Sequence, residues 1–155
     1  MKRFQILFLL CLALSFTFSI FAQDTKEVII LQTSDVHSRI EPINQKGDRY
    51  YNKGGFVRRA AFLEEFRKDH KNVLLFDCGD ISQGTPYYNM FRGEVEIKLM
   101  NEMGYDAMTI GNHEFDFDVD NMARIFKMAD FPVVCANYNL DATVLKDIVK
   151  PYVVL

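Results

Sequence analysis

The chain has 155 residues, of which 18 are basic and 21 acidic, giving a formal net charge of −3 at pH 7. Proteins that bind nucleic acids usually present a basic surface, so this composition argues against a nucleic acid polymer as partner. The length suffices for one modest hydrophobic core and is too short for two domains. The sequence therefore predicts one domain, or part of one.

Residues 1–22 have the pattern of a secretory signal peptide. Two basic residues precede an uncharged, mostly apolar run at 4–22, and polar Gln23 and Asp24 follow it. A transmembrane anchor is the alternative, because the run approaches the ~20 residues that a spanning helix requires. Ala22 supplies a small residue at the cleavage point. We therefore expect cleavage, no stable membrane insertion afterwards, and a secreted or periplasmic protein.

Cleavage would remove two basic residues and no acidic one, which leaves the mature chain with a net charge of about −5. Only Cys78 and Cys135 would remain of the three cysteines, and neither belongs to a CxxC pair. A bridge between them is sterically conceivable if their strands are neighbours. Two small buried thiols are the expected arrangement, so disulfides should not define the fold.

The rest of the chain, residues 23–155, alternates strand and helix patterns without an internal repeat or a linker, which is typical of a single α/β unit. Short apolar runs that end in turn residues predict buried parallel strands. Such runs lie at 28–32, 73–76, 106–110 and 131–136, and a further strand is expected to begin at 151–155. Helical spacing of apolar residues predicts helices at 54–69, 93–103 and 119–129, with a short helical turn at 84–90.

Metal-ligating side chains follow three of the predicted strands. Asp35 and His37 follow the first strand, Asp80 follows the second, and Asn112 and His113 follow the third. The carboxyl ends of parallel strands meet at one edge of a sheet, so these side chains should surround a crevice. Each residue alone has an ordinary explanation, since Asp and Asn often cap helices or turns. Their joint placement favours a metal site.

Carboxylate, imidazole and amide donors together suit divalent ions of intermediate hardness, and they permit Mn, Zn, Fe or Co. Two such ions about 3.5–4 Å apart stabilise the attacking and leaving oxygens of a displacement at phosphorus. The expected cofactors are therefore two divalent metal ions. Their expected ligands are Asp35, His37, Asp80 and Asn112.

Three motifs, in this order along the chain, resemble the signature of the calcineurin-like metallophosphoesterases. They are Asp35-x-His37, Gly79-Asp80 and Gly111-Asn112-His113-Glu114. Further stretches resemble those of the 5′-nucleotidase branch, which also hydrolyses 2′,3′-cyclic phosphodiesters. These stretches are Gly54-Gly55, Gln83-Gly84, Gly104-Tyr105-Asp106-Ala107 and residues 111–116. The resemblance implies a hydrolase whose substrate is a nucleotide or another small phosphoester.

The same resemblance implies roles for individual residues. Asp35 and His37 would bind the first ion, Asp80 would bridge both ions, and Asn112 would bind the second. His113 would act on the substrate, by stabilising the transition state or by protonating the leaving oxygen.

Two acidic residues, Asp116 and Asp118, follow His113 closely in the sequence. By the resemblance, Asp116 would orient the imidazole of His113. Asp118 departs from the family pattern, which commonly has glycine there. The departure is expected to affect the local turn but none of the ligands.

The family completes its metal site with Gly-His and Gly-His-x-His motifs farther downstream, which this sequence does not contain. Its only histidines are His37, His70 and His113, and His70 is expected to be solvated. The resemblance implies a four-layer α/β/β/α sandwich, of which these residues would supply the first half. We therefore expect the N-terminal part of an exported metallophosphoesterase, with a complementary C-terminal segment or chain as partner. A non-catalytic fragment or split subunit is the alternative, and a sulfur-ester hydrolase of the same fold is a lesser one.

Overall fold

The computed structural model describes residues 25–155, so the predicted signal peptide at 1–22 lies outside the described residues. Within 25–155, no helix is both long and apolar enough to cross a membrane. The elements follow one another as β1 (Ile29–Thr33), α1 (Phe56–Asp69), β2 (Val73–Asp77), α2 (Pro86–Phe91), α3 (Glu94–Met103), β3 (Ala107–Thr109), a 3-10 turn (His113–Phe115), α4 (Val119–Phe126), β4 (Val133–Val134) and β5 (Val149–Lys150).

The strands form one parallel sheet in the order β1-β2-β3-β4-β5, which is also their order along the chain. Right-handed crossovers in such a sheet place every connecting helix on the same face. Leu75 and Met108 of the strands accordingly share one buried core with Ile97 of α3 and Met122 of α4. The predicted α/β fold with a parallel sheet is confirmed.

The opposite face of the sheet is apolar and largely open. Side chains alternate between faces along a strand, so Leu31 of β1 packs against the core while Ile30 is 63% exposed. The partner of Ile30 in β2 is Leu74, which is half-buried on this open face. Residues 151–155 lie over part of this face, beside Phe76. The sheet therefore has one face covered by helices and one face available for another layer.

Several predicted boundaries differ from the structure. The prediction of a strand at 151–155 is wrong. The last strand, β5, pairs with β4 at Val149–Lys150 and ends there. Pro151 carries no backbone N–H and cannot donate to a strand ladder, which explains this end. The helix expected to reach residue 129 ends at Phe126, because Met128 and Ala129 continue in tighter turns with i→i−3 bonds.

Both cysteines in the described part are free thiols, in agreement with the expectation that disulfides do not define the fold. Cys135 is buried, but the prediction that Cys78 is buried is wrong. Cys78 follows Asp77, whose side chain is buried, and so points toward the open face of the sheet.

Candidate functional site

The loops that follow β1 and β2 are held side by side at the carboxyl edge of the sheet. Backbone hydrogen bonds continue beyond the two strands: Asp35 N–H donates to Gly79 O at 3.0 Å, His37 N–H to Asp80 O at 3.0 Å, and Ser38 N–H to Ile81 O at 2.8 Å. These bonds bring the first two predicted ligand motifs together. The two loops are therefore in direct contact, although they lie far apart in the sequence.

Three predicted ligands have backbone conformations in the left-handed region, which residues other than glycine rarely adopt. The φ angles are 53° at Asp35, 43° at His37 and 58° at Asp80. Such strain costs free energy and persists where the surrounding structure enforces it, most often at functional sites. The backbone bonds between the two loops supply that enforcement.

The loop after β3 joins the other two through a close approach of two glycines. Gly79 has φ +95°, and a Cβ atom placed on it would lie 2.5 Å from the backbone nitrogen of Gly111. Glycine is therefore required here by both conformation and space. The approach also allows the backbone N–H of His113 to donate to Asp80 Oδ1 at 2.9 Å.

Ligand atoms of His37, Asp80 and His113 all lie within 4.8 Å of one another. His37 Nε2 also lies 3.9 Å from Asp35 Oδ1. Nδ1 of His37 is 3.2 Å from the carbonyl oxygen of Ser82, so the N–H at Nδ1 donates there and the lone pair of Nε2 is left for an ion. Two imidazoles and a carboxylate at this spacing fit a divalent metal ion, so His113, which was predicted to act on the substrate, also lies within reach of an ion held by His37 and Asp80.

The remaining predicted ligands, Asp35 and Asn112, are more exposed than the residues of this cluster. The side chain of Asp35 is 63% exposed, and Asn112 is also exposed. Asn112 immediately precedes the 3-10 turn, and its carbonyl oxygen accepts from the N–H of Phe115 at 3.2 Å. His70 does not join the site, because it is exposed at the end of α1 and stacks on the Phe66 ring with centroids 4.0 Å apart.

His113 and Asp116 form a pair of the kind expected of a positioned acid. His113 Nδ1 lies 2.9 Å from Asp116 Oδ2. This hydrogen bond is the largest cause of a raised pKa at His113, and the negative charges of Asp116 and Asp80 act in the same direction. The pair therefore favours a protonated imidazole.

Asp118, which departs from the family pattern, has a clear local role. Its backbone is extended, and its Oδ1 accepts from the N–H of Asn121 at 2.6 Å. It is the N-cap of α4 and satisfies one of the free backbone donors at the start of that helix. The departure leaves the neighbouring site intact.

Sequence reasoning assigned no role to Glu114, although the residue belongs to the third motif. Its side chain is only 1% exposed and accepts backbone hydrogen bonds from the loops after β2 and β3. The only signal in the sequence was an acidic residue directly after the histidine. Nothing in that signal distinguishes a buried carboxylate from a solvated one.

A second buried carboxylate, Asp77, ends β2 behind the site. It accepts from the hydroxyl of Thr33 at 2.5 Å and from the N–H of Gly79 at 2.9 Å. Burial nevertheless raises the pKa of Asp77 from 3.8 to about 6, and these two hydrogen bonds only partly oppose the increase. The fold therefore favours the protonated form of this side chain.

The family model described as Calcineurin-like phosphoesterase matches residues 28–153. The chain belongs to the calcineurin-like phosphoesterase family. This finding confirms the resemblance seen in the three motifs.

Individual relatives in this family are 5′-nucleotidases. The snake venom 5′-nucleotidase of Gloydius brevicauda is 38% identical over 136 residues, which cover 83% of this chain and 23% of that protein. The 5′-nucleotidase of Homo sapiens is 36% identical over 137 residues, covering 83% and 24%. The solved structure of a 5′-nucleotidase precursor from Thermus thermophilus matches with a TM-score of 0.75 and 36% identity, covering 83% and 26%. This phosphoesterase chain thus spans about a quarter of the length of these relatives.

Proposed function

We propose that this chain forms the N-terminal part of an exported, metal-dependent phosphohydrolase of 5′-nucleotidase type. Its substrates would be nucleotides or related small phosphoesters. The observation that carries the proposal is the convergence of His37, Asp80 and His113 within 4.8 Å at the strand ends of a phosphoesterase fold. Export is supported by the signal-peptide pattern at 1–22 and by a relative named as a venom enzyme.

Asp35, His37, Asp80 and Asn112 would hold two divalent ions, with Asp80 between them. When bound, such ions polarise a phosphoryl oxygen and lower the pKa of a water molecule. His37 contributes Nε2 because its Nδ1–H is engaged by a carbonyl oxygen. The identity of the ions is Mn, Zn, Fe or Co by donor type.

His113 would hold the proton that the leaving oxygen needs. Its Nδ1–H donates to Asp116, so Nε2 is the nitrogen that can face the substrate. As the oxygen of water forms a bond to phosphorus and loses a proton to solvent, the ester P–O bond breaks and the leaving oxygen takes the proton from Nε2, which solvent then restores. Asp116 orients the imidazole and stabilises its protonated form.

Hydrolysis of 5′-AMP by the full-length protein tests this function. The protein is stripped of metal with a chelator and then reloaded with Mn²⁺, Zn²⁺ or Co²⁺. We expect phosphate release only after reloading. Absence of phosphate release under all three ions, with cleavage of a sulfur ester instead, would favour the lesser alternative of a sulfur-ester hydrolase.

The open face of the sheet favours a second proposal, that a complementary C-terminal segment, in this chain or in another chain, covers it. Ile30 of the edge strand β1 is 63% exposed, and Val28 just before this strand is 54% exposed. Uncovered apolar surface of this kind marks a partner site or an aggregation liability.

Purified residues 23–155 provide the test of this second proposal. We expect a poorly soluble or self-associating protein with no metal-dependent phosphatase activity, which gains activity when the complementary segment is supplied in cis or as a second chain. Robust hydrolysis of 5′-AMP by a soluble monomer of residues 23–155 would contradict it. Continued inactivity in the presence of the complementary segment would instead favour a non-catalytic subunit.

A further inference from the structure

Glu114 is a buried carboxylate that lies between two ligand loops. Its Oε2 accepts from the N–H of Asp80 at 3.0 Å and from the N–H of Gly111 at 2.6 Å. Its Oε1 accepts from the N–H of Ser82 at 3.2 Å. A single oxygen atom therefore joins the loop that carries Asp80 to the loop that carries Asn112.

An ionised carboxylate is costly to bury unless hydrogen bonds or a cation compensate for the lost water. Among the ion pairs formed within residues 25–155, none involves Glu114. Its compensation comes from three backbone donors, all of them in the two ligand loops. A group with only a packing role would need no charge at this position, since a neutral side chain is cheaper to bury.

We infer that Glu114 is a positioning residue, whose carboxylate fixes the separation between Asp80 and Asn112 and thereby the affinity for the ion that both would bind. The part of this inference that concerns metal affinity rests on the proposed function. Gly111 immediately precedes Asn112, so a bond to the Gly111 amide sets the place of the Asn112 backbone. Glu114 itself would touch neither ion nor substrate.

Substitution by glutamine removes one acceptor while keeping the size of the side chain. If the remaining side-chain oxygen in Glu114→Gln accepts from the N–H of Ser82, the NH₂ group faces the backbone N–H groups of Asp80 and Gly111, which are also donors. If the side chain turns over, the NH₂ group faces Ser82 instead. Either orientation breaks part of the connection between the loops.

Asp106→Asn is the matched control, because Asp106 Oδ2 also accepts a backbone N–H, that of Leu75, at 2.7 Å. Asp106 ties β2 to the start of β3, at the edge of the sheet away from the ligand loops. Asparagine keeps one acceptor oxygen for the Leu75 N–H, so this control should change neither the ligand loops nor metal binding.

The first measurement is amide hydrogen exchange on the metal-free, full-length protein. In Glu114→Gln the amides that face the new NH₂ group, either those of Asp80 and Gly111 or that of Ser82, should exchange at least tenfold faster, whereas Asp106→Asn should leave all three unchanged. Unchanged exchange at all three amides in Glu114→Gln would overturn the inference. This readout needs neither a metal ion nor a substrate.

The second measurement is titration of the same proteins with Mn²⁺. Loss of a group that orients metal ligands typically lowers metal affinity about 10–100-fold, and we expect a loss in that range for Glu114→Gln. Affinity within twofold of the unsubstituted protein would overturn the inference. If the unsubstituted protein binds no Mn²⁺, the proposed function fails, while the exchange experiment still decides whether Glu114 holds the loops.

Glu114→Asp provides the same test if the glutamine variant does not fold. It keeps the charge but is one methylene shorter, so it cannot reach all three amides from the same backbone position. We expect faster exchange at one or two of the three amides and a smaller loss of Mn²⁺ affinity. Exchange and affinity equal to those of the unsubstituted protein would contradict a positioning role.

Discussion

The backbone N–H of His113 donates to Oδ1 of Asp80 at 2.9 Å. The proposed acid and the proposed bridging ligand therefore belong to one hydrogen-bonded unit, although 33 residues separate them in the sequence. A carboxylate that accepts one such bond keeps further lone pairs for a metal ion. Substitution of Asp80 tests the proposed metal ligand in this unit, and substitution of His113 tests the proposed acid.

Asp80→Ala should abolish metal-dependent phosphatase activity in the full-length protein and lower the bound metal. A bridging carboxylate holds both ions, so its loss leaves two like charges poorly screened. Metal content by elemental analysis and hydrolysis of 5′-AMP provide the measurements. His70→Ala is the control, because His70 is exposed at the end of α1 and should change neither quantity. Full metal occupancy in Asp80→Ala would refute the assignment.

His113→Ala should retain most of the metal while losing on the order of 10² to 10⁴ in rate on substrates with poor leaving groups. Asp116→Asn should weaken the same step less, since it removes the charge that favours the protonated imidazole but leaves the imidazole in place. The measurement compares 5′-AMP with p-nitrophenyl phosphate, whose leaving group needs little protonation. Equal losses on both substrates would contradict the leaving-group role, and loss of bound metal would show that His113 acts as a ligand instead.

Asp77→Asn should stabilise the protein at neutral pH. Because the pKa of Asp77 is raised from 3.8 to about 6 in the folded protein, its contribution to stability is complete below pH 3.8 and is lost as the pH rises through about 6. The shift corresponds to a cost of up to about 3 kcal/mol at pH 7. The asparagine variant should avoid most of this cost, because its oxygen can accept from Gly79 N–H while the Thr33 hydroxyl donates to Tyr105 Oη and accepts from the new NH₂ group. Its stability should vary less between pH 4 and 7.

Urea unfolding of the metal-free protein across this pH range is the appropriate measurement. Asp130→Asn, at an exposed position, serves as the control and should show the same pH dependence as the unsubstituted protein. A variant of Asp77 that is less stable at pH 7.5 than at pH 4 by the same margin as the unsubstituted protein would contradict the prediction.

Gly79→Ala should destabilise the protein and weaken Mn²⁺ binding, whereas Gly47→Ala should destabilise it less and leave Mn²⁺ binding unchanged. Both glycines have nearly the same conformation, with φ +95° and +92°, so both substitutions carry a similar backbone strain of about 1–2 kcal/mol. Only the new Cβ at position 79 meets the backbone of Gly111, while no atom lies within 4 Å of the new Cβ at position 47. Thermal unfolding and Mn²⁺ titration of the two variants should therefore separate the effect of the steric contact with Gly111 from the effect of backbone strain. Equal effects would argue against the close approach.

The arrangement of the donors was predictable from sequence because parallel strands have a simple geometric rule. Asp35, Asp80 and Asn112 each follow an apolar strand, and consecutive strands bring such residues to one edge of the sheet. The open apolar face was also expected, since the resemblance implied a second sheet that these residues do not supply. Both expectations depend on topology more than on side-chain detail.

The remaining features depend on contacts that a sequence pattern does not encode. The apolar run at 131–136 suggested six residues of strand, but β4 comprises only Val133–Val134, because backbone pairing and not hydropathy limits a strand. Glu114 reads as an ordinary surface acid until the loops after β2 and β3 are brought together. The left-handed backbone of His37 likewise arises from bonds to a distant loop.

The agreement between strand order and chain order has a consequence for synthesis of the protein. Every strand pairs with the one made just before it, so each strand–helix–strand unit has its partner as soon as its second strand is available. The chain is made from its N-terminus, so β1 and β2 are available before β3. His37 and Asp80 would meet first, once β2 has joined β1, and His113 would be added when β3 docks. Nascent chains of increasing length should therefore acquire the donors of the site one strand at a time.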